Sequence, residues 1–120
     1  MTNLELIQNF YASENFRDLK FVDSLFDDNV SLEWNSTIGL RIHNKSDIMN
    51  FSRELAQNYI ETKVVIKSIF GDENNVAVRY EYFAKTIENP NEWIQITKVL
   101  VLWEFLNNKI IKGFQTTVLL

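Results

Sequence analysis

The sequence predicts an α+β domain: three helices packed in the concave face of a strongly curved, mostly antiparallel sheet. Three observations lead there. Apolar residues recur at helical spacing through most of the first 60 positions, and the period changes to two from Glu61 onward. The resulting order is helix, helix, strand pair, helix, then four strands, which segregates the helices from a sheet. Finally, Glu92 to Leu120 reads as two long antiparallel strands, Trp93–Phe105 and Lys109–Val118. The first of these is apolar on both faces through its middle, as a strand covered on both sides should be.

Each element follows from local pattern. Leu4, Ile7 and Tyr11 make a helical stripe over residues 3–13, flanked by Leu6 and Phe10. A second helix is expected to begin near Asn15, with Asn15 as N-cap and Asp18 three residues on as its capping-box partner. Leu19, Val22, Leu25 and Phe26 are its apolar face, and Asp27-Asp28-Asn29 is expected to end it. Val30, Leu32 and Trp34 then alternate with Ser31, Glu33 and Asn35, a half-buried strand. A short strand, Ile38–Ile42, follows a Ser-Thr turn. Ser46 is expected to cap a third helix, Asp47 to about Tyr59, buried through Ile48, Phe51 and Leu55.

Beyond Glu61, Thr62, Val64, Ile66, Ser68 and Phe70 are expected on one face of a strand that turns at Gly71-Asp72-Glu73-Asn74-Asn75. Val76, Val78, Tyr80 and Tyr82 form the inner face of the next, which ends before the Glu88-Asn89-Pro90-Asn91 loop. In the penultimate strand, Trp93, Gln95, Thr97, Val99, Val101, Trp103 and Phe105 share one face. Ile94, Ile96, Lys98, Leu100, Leu102 and Glu104 share the other. Asn107-Asn108 suits the hairpin turn, because Asn tolerates positive φ. No repeat, low-complexity tract or domain boundary interrupts the chain, so a single domain spans 1–120. A curved sheet around three helices leaves a tapering cavity, a common place for a small ligand.

Composition narrows the function classes. The 120 residues are 46% hydrophobic and 13% aromatic, with only three Gly and one Pro, which excludes a disordered chain. The net charge of −4, without a long basic run, argues against nucleic acid and anionic membrane as partners. Without cysteine there is no disulfide, thiolate nucleophile or thiolate metal site, and a single histidine with no ligand spacing around it implies no metal. No cofactor is implied. The first residues carry no basic patch ahead of an apolar run, and no stretch approaches the ~18 apolar residues of a membrane span. A soluble cytoplasmic protein is the expectation.

Three stretches carry a family resemblance: Asp18-Leu19…Leu25-Phe26-Asp27-Asp28-Asn29-Val30, then Ile42-His43-Asn44-Lys45-Ser46-Asp47-Ile48…Phe51, then Asn107-Asn108-Lys109-Ile110-Ile111. With their order they resemble the nuclear transport factor 2-like superfamily, in particular its SnoaL-like branch. Asn44 and Asn108 stand where that family usually has glycine; asparagine is the next-best residue for a left-handed backbone. The resemblance implies a cone-shaped fold and dimers formed sheet to sheet. It does not fix a function, because the fold hosts isomerases, dehydratases, cyclases, epoxide hydrolases and binding proteins. Aligned without a gap on Asp18 and Phe26, the general-base aspartate of ketosteroid isomerase falls on Trp34 and its oxyanion-hole tyrosine on Phe10. The protonated aspartate partner falls on or near Val101. These side chains can neither abstract a proton nor hold an enolate. The Asp-Arg-Asp arrangement of an epoxide hydrolase and the paired histidines of a scytalone-type dehydratase are likewise not seen.

Catalytic residues are therefore not assigned. The candidate cavity residues are Phe10, Trp34, Tyr80, Tyr82, Val101, Trp103 and Gln115, with Thr117 beside Gln115. Tyr80 and Tyr82 either donate to a ligand or anchor to the backbone. His43, at a helix-entry turn, is read as an ordinary partly exposed histidine; Glu33 as a solvated strand residue; Asp27 and Asp28 as turn formers. Ile94, Ile96, Leu100 and Leu102 with Ile110, Phe114 and Val118 would form a broad apolar patch, larger than monomers usually expose. A homodimer through Leu100, Leu102 and Phe114 is expected. The preferred function is binding of a small apolar molecule. An enzyme of the polyketide-cyclase or isomerase type, using His43, Glu33 or a tyrosine, is the alternative. A cavity filled by its own side chains, leaving only a scaffold, is the third reading.

Overall fold

The computed structural model describes residues 1–119. Helix α1, Asn3–Tyr11, opens with a capping box: the Thr2 hydroxyl accepts from the Glu5 amide and the Glu5 carboxylate accepts from the Thr2 amide. Its stripe is buried through Ile7, Phe10 and Tyr11. A 3-10 segment, Ala12–Arg17, follows, with Ser13 and Glu14 both left-handed at φ 49° and 61°. Such backbone costs roughly 1–2 kcal/mol per residue outside glycine, and Glu14 is the residue whose side chain holds it. Its carboxylate accepts from the Thr62 amide and hydroxyl and from Arg17.

Helix α2, Leu19–Leu25, begins three residues later than expected. Asp18, not Asn15, is its N-cap, accepting from the amides of Lys20 and Phe21, while the Asn15 side chain donates to the Asn9 carbonyl. The Asp27-Asp28-Asn29 run does not separate helix from strand. It lies inside β1, Phe26–Ser36, where Asp27 accepts from the Asn29 amide and the register against the neighbouring strand breaks between Phe26 and Ser31. Phe26, 1% exposed, is drawn into the core ahead of this irregularity. A turn with Gly39 at φ +102° leads to β2, Gly39–His43. Helix α3, Lys45–Asn58, is capped by Asn44 with Asp47 as its reciprocal partner, two residues before the expected Ser46.

Strands β3 (Tyr59–Gly71), β4 (Asn75–Thr86), β5 (Ile94–Leu106) and β6 (Lys109–Leu119) complete one six-stranded sheet in the order β2-β1-β6-β5-β4-β3. Every pair is antiparallel except β1 with β6. The β5–β6 hairpin closes on Asn107 and Asn108, both at positive φ, with Leu106 opposite Lys109, as the Asn-Asn pair implied. The helices lie on the inner face, over a core that includes Val76, Val78, Val99, Val101 and Trp103.

Bulges move several residues from where strict alternation places them, because one extra residue reverses every side chain beyond it. A break between Ile66 and Ser68 packs Ile69 on the core and leaves Phe70 69% exposed. A break beside Tyr82 and Phe83 puts Ile94 opposite buried Ala84 and packs Ile96 against the core, so neither belongs to the outer face. Trp93 and Gln95 lie outside instead. The Trp93 ring has the Lys63 and Lys85 ammonium groups 4.3 and 4.7 Å from its centre, and Gln95 donates to Glu81. A third break, at Glu104 and Phe105, turns Ile110 inward and buries it fully. The outer face keeps Leu100, Leu102, Phe114 and Val118 and is extended by Leu40 and Ile42 of β2. Among the described residues no helix is long and apolar enough to cross a membrane.

Candidate ligand cavity

Between the helices and the inner face of the sheet lies a cavity of about 280 Å³. The middle of α3 supplies Ile48, Phe51, Ser52 and Leu55; β4 supplies Tyr80 and Tyr82; β1, β5 and β6 supply Trp34, Thr97 and Gln115. Among the described residues, none that lines it carries a carboxylate, imidazole, amine or guanidinium.

The residues singled out from sequence are placed as follows. Phe10 is on the wall, packed edge-on to Phe26 and Trp103 at ring separations of 5.7 and 6.4 Å. Trp34 is half-buried on the wall and its Nε1 donates to the Thr117 hydroxyl at 2.9 Å. Trp103 is buried on the wall and its Nε1 donates to the Tyr11 hydroxyl at 3.1 Å. Gln115 lines the cavity, paired across the sheet with Trp34 and with Val101. Val101 lies in the core of β5, outside the cavity lining. Gly113 is required beside Trp103: a Cβ there would stand 2.4 Å from the indole Cζ3 and 2.8 Å from Leu32 Cδ1.

The sequence reading missed Tyr11, Phe16, Phe51 and Tyr59 as wall residues. All four are aromatic residues on or next to helices. Helical spacing marks them only as core, and nothing local shows that the core around them is hollow.

Tyrosine chemistry dominates the polar content of the wall. Tyr11 has its ring centre 4.6 Å from that of Tyr80. Burial pushes the Tyr11 phenol well above its ordinary range, and burial does the same to Tyr80 and Tyr82. All three are neutral hydroxyls at physiological pH. The Tyr82 hydroxyl is enclosed and has no hydrogen-bond partner among the described residues.

Behind Tyr82 lies a polar clasp outside the cavity. Arg17 donates to Glu14 at 2.7 Å and to the Tyr59 carbonyl at 2.6 Å, with further bonds to Thr62 and the Ala56 carbonyl. Burial pushes the Glu14 carboxyl up, but hydrogen bonds from Thr62 and Arg17 outweigh it and hold the group below its usual range. The clasp ties the 3-10 segment to the end of α3 and the start of β3, with both charges satisfied.

The other candidates lie elsewhere. His43 stands edge-on to Phe51 and Trp34, with ring centres 4.8 and 5.9 Å away, and its Nδ1 is 3.4 Å from an Asp47 carboxylate oxygen. Glu33 borders a shallow outer hollow with Leu100, Leu102 and Phe114. Asp28 pairs with Lys45 at 2.9 Å. Among the described residues no three His, Cys, Asp or Glu side chains come together as a metal site would need.

Comparison with known proteins places this architecture. No curated protein matches the sequence. Among solved structures, the chain is similar to IdmH from Streptomyces antibioticus, described provisionally as a polyketide cyclase: TM-score 0.76, 12% identity, 98% of this chain and 92% of the other covered. A provisionally described isomerase from Rhodopseudomonas palustris aligns with TM-score 0.75 and 15% identity over 98% of this chain and 90% of the other. An M. tuberculosis LEH-like epoxide hydrolase aligns with TM-score 0.72 and 15% identity, over 96% and 81% respectively. At such identities these likenesses establish the fold. The SnoaL-like domain family matches residues 7–112, almost the whole chain. The chain belongs to the SnoaL-like domain family, within the nuclear transport factor 2-like fold.

Proposed function

We propose that this protein is a homodimer whose cavity binds a small, largely apolar, neutral molecule without acid–base catalysis. One observation carries the reading: among the described residues the cavity wall is aromatic and aliphatic, and its polar side chains are neutral hydroxyls, the Gln115 amide and the indoles of Trp34 and Trp103. A general base working near neutral pH needs a carboxylate, imidazole or amine within hydrogen-bond reach of the proton it takes. Of the ionisable candidates, His43 and Glu33 both lie outside this wall, and the wall phenols of Tyr11, Tyr80 and Tyr82 are held neutral by burial. The cyclase, isomerase and epoxide hydrolase readings attached to the structural neighbours would require such a group here. The dimer is supported by the outer apolar face, where Leu100 is 57% exposed and Phe114 and Leu102 stand beside it.

Native mass spectrometry of freshly purified protein tests both parts together. A dimer carrying a small neutral mass of apolar character is the expected result. A monomer at micromolar concentration would remove the dimer, and turnover of a small apolar substrate by the native protein would remove the non-catalytic reading, its loss in a His43 and Glu33 double variant assigning the chemistry to those residues.

A further inference from the structure

We infer that Gln115 selects the cavity's ligand, and that this ligand presents a cis-amide edge, the adjacent N–H and C=O of a lactam or a primary carboxamide. This deepens the binding function proposed above and rests on it. Gln115 lies on β6 between Trp34 of β1 and Val101 of β5, and it lines the cavity. It shares the inner face of its strand with Gly113 and Thr117, both buried.

The Gln115 amide is open and uncommitted. Among the described residues it makes no hydrogen bond, and its residue is only partly buried, so it is not sealed off as the Tyr82 hydroxyl is. Its neighbours on the sheet do not occupy it. Gly113 has no side chain, Val101 is apolar, and the Thr117 hydroxyl is engaged by Trp34 Nε1 at 2.9 Å.

Most other polar side chains of the wall are spent on the protein itself. The Ser52 hydroxyl donates to the Phe16 carbonyl at 2.8 Å and the Thr97 hydroxyl to the Val118 carbonyl at 2.7 Å. Trp103 Nε1 donates to the Tyr11 hydroxyl at 3.1 Å. Tyr59 and Tyr80 bring one hydroxyl each. Gln115 is the lining residue that holds N–H donors and a carbonyl acceptor side by side on one planar group.

The chemical class follows from that pairing. A hydrocarbon covering the amide would strip its water and leave donor and acceptor unpaired, at a cost in free energy. A ketone would satisfy the donor alone. A cis-amide edge satisfies both: its N–H donates to Gln115 Oε1 and its carbonyl accepts from Gln115 Nε2. The group is neutral, as a wall without charged side chains requires, and the rest of the ligand's carbon frame meets aromatic and aliphatic surface. The volume of about 280 Å³ sits at the lower edge of the range for drug-sized ligands, so a compact ring fits best.

The experiment uses ε-caprolactam and cycloheptanone, rings of one size that differ in the N–H. Each is titrated into 15N-labelled protein and followed by amide chemical shifts. The Gln115 side-chain N–H signals, assigned through the residue's own backbone, are expected to move on lactam binding. Gln115→Leu is expected to weaken the lactam about tenfold or more, the effect of two hydrogen bonds, and the ketone, which makes one of them, at most a few-fold. A variant that binds the lactam as the native protein does, or that loses lactam and ketone affinity equally, overturns the inference and leaves the apolar cavity standing. Lactam binding that leaves the native Gln115 side-chain signals unmoved does the same without recourse to the variant. If neither ring binds the native protein up to its solubility limit, both this inference and the binding function beneath it fall.

Discussion

Replacing Tyr82 with phenylalanine should stabilise the ligand-free protein. The Tyr82 hydroxyl is buried with no partner among the described residues, and its ring is packed against Phe16 at 5.8 Å and Tyr59 at 6.3 Å. Stranding such a group costs about 1–3 kcal/mol of desolvation, and phenylalanine keeps the ring while removing the group. The lower end is the better guide, because the oxygen also fills space that Phe leaves empty. A 120-residue domain unfolds with an entropy of about 250 cal/mol/K at roughly 2.1 per residue, so 1 kcal/mol raises Tm by about 4 °C. Urea unfolding with a shared m-value, alongside calorimetry, measures it. Tyr11→Phe is the internal contrast. It removes the acceptor of Trp103 Nε1 and strands a buried indole N–H, and should destabilise by about 1–3 kcal/mol. The two substitutions delete the same atom from the same residue type, so the opposite signs isolate hydrogen-bond partnership. A loss of 1 kcal/mol or more in Tyr82→Phe would show that its hydroxyl is satisfied in the native state.

Leu102→Lys on the outer sheet face should convert a dimer to a folded monomer, read by sedimentation velocity with the amide spectrum retained; a dimer unaffected by it refutes this face as the interface. Gly113→Ala should destabilise by about 1–3 kcal/mol, because its Cβ would overlap Trp103 and Leu32; a neutral denaturation midpoint would mean that the indole moves freely. High pH should unfold the protein steeply. The buried phenols of Tyr11, Tyr80 and Tyr82 are raised above their unfolded value of about 10, so their contribution is complete below pH 10. Above it, stability falls by up to about 1.4 kcal/mol per pH unit for each. Tyrosinate absorbance of these three groups should appear together with the loss of native circular dichroism; ionisation well ahead of unfolding would contradict their burial. Arg17→Met should loosen the 3-10 segment, losing four donated bonds and leaving Glu14 to Thr62 alone, with faster amide exchange around Ser13 and Glu14 as the readout.

Local chemistry made most elements legible. The period change near Glu61, the Asn107-Asn108 turn and the stripes of α1 and α3 each express an interaction within a few residues, so reading along the chain finds them. Helix starts were harder because several cap residues compete. Asn15 and Ser46 are good caps in isolation, but Asp18 and Asn44 make the bonds, because Phe16 and Ile48 must reach the core from the turns that result.

The sequence by itself determined the fold class, the order of elements and the inner positions of Tyr80, Tyr82 and Trp103. Periodicity and residue chemistry suffice for these. Only the tertiary structure decided the inward turn of Ile94, Ile96 and Ile110, the exposure of Phe70, and the place of Val101 outside the cavity wall. Each of the four displaced residues follows from a bulge, and a bulge is an agreement between two strands that neither strand encodes alone. The same holds for the lone hydroxyl of Tyr82. Whether a buried group has a partner depends on what the rest of the chain brings within about 3 Å of it, and that distance is set by packing across the whole domain.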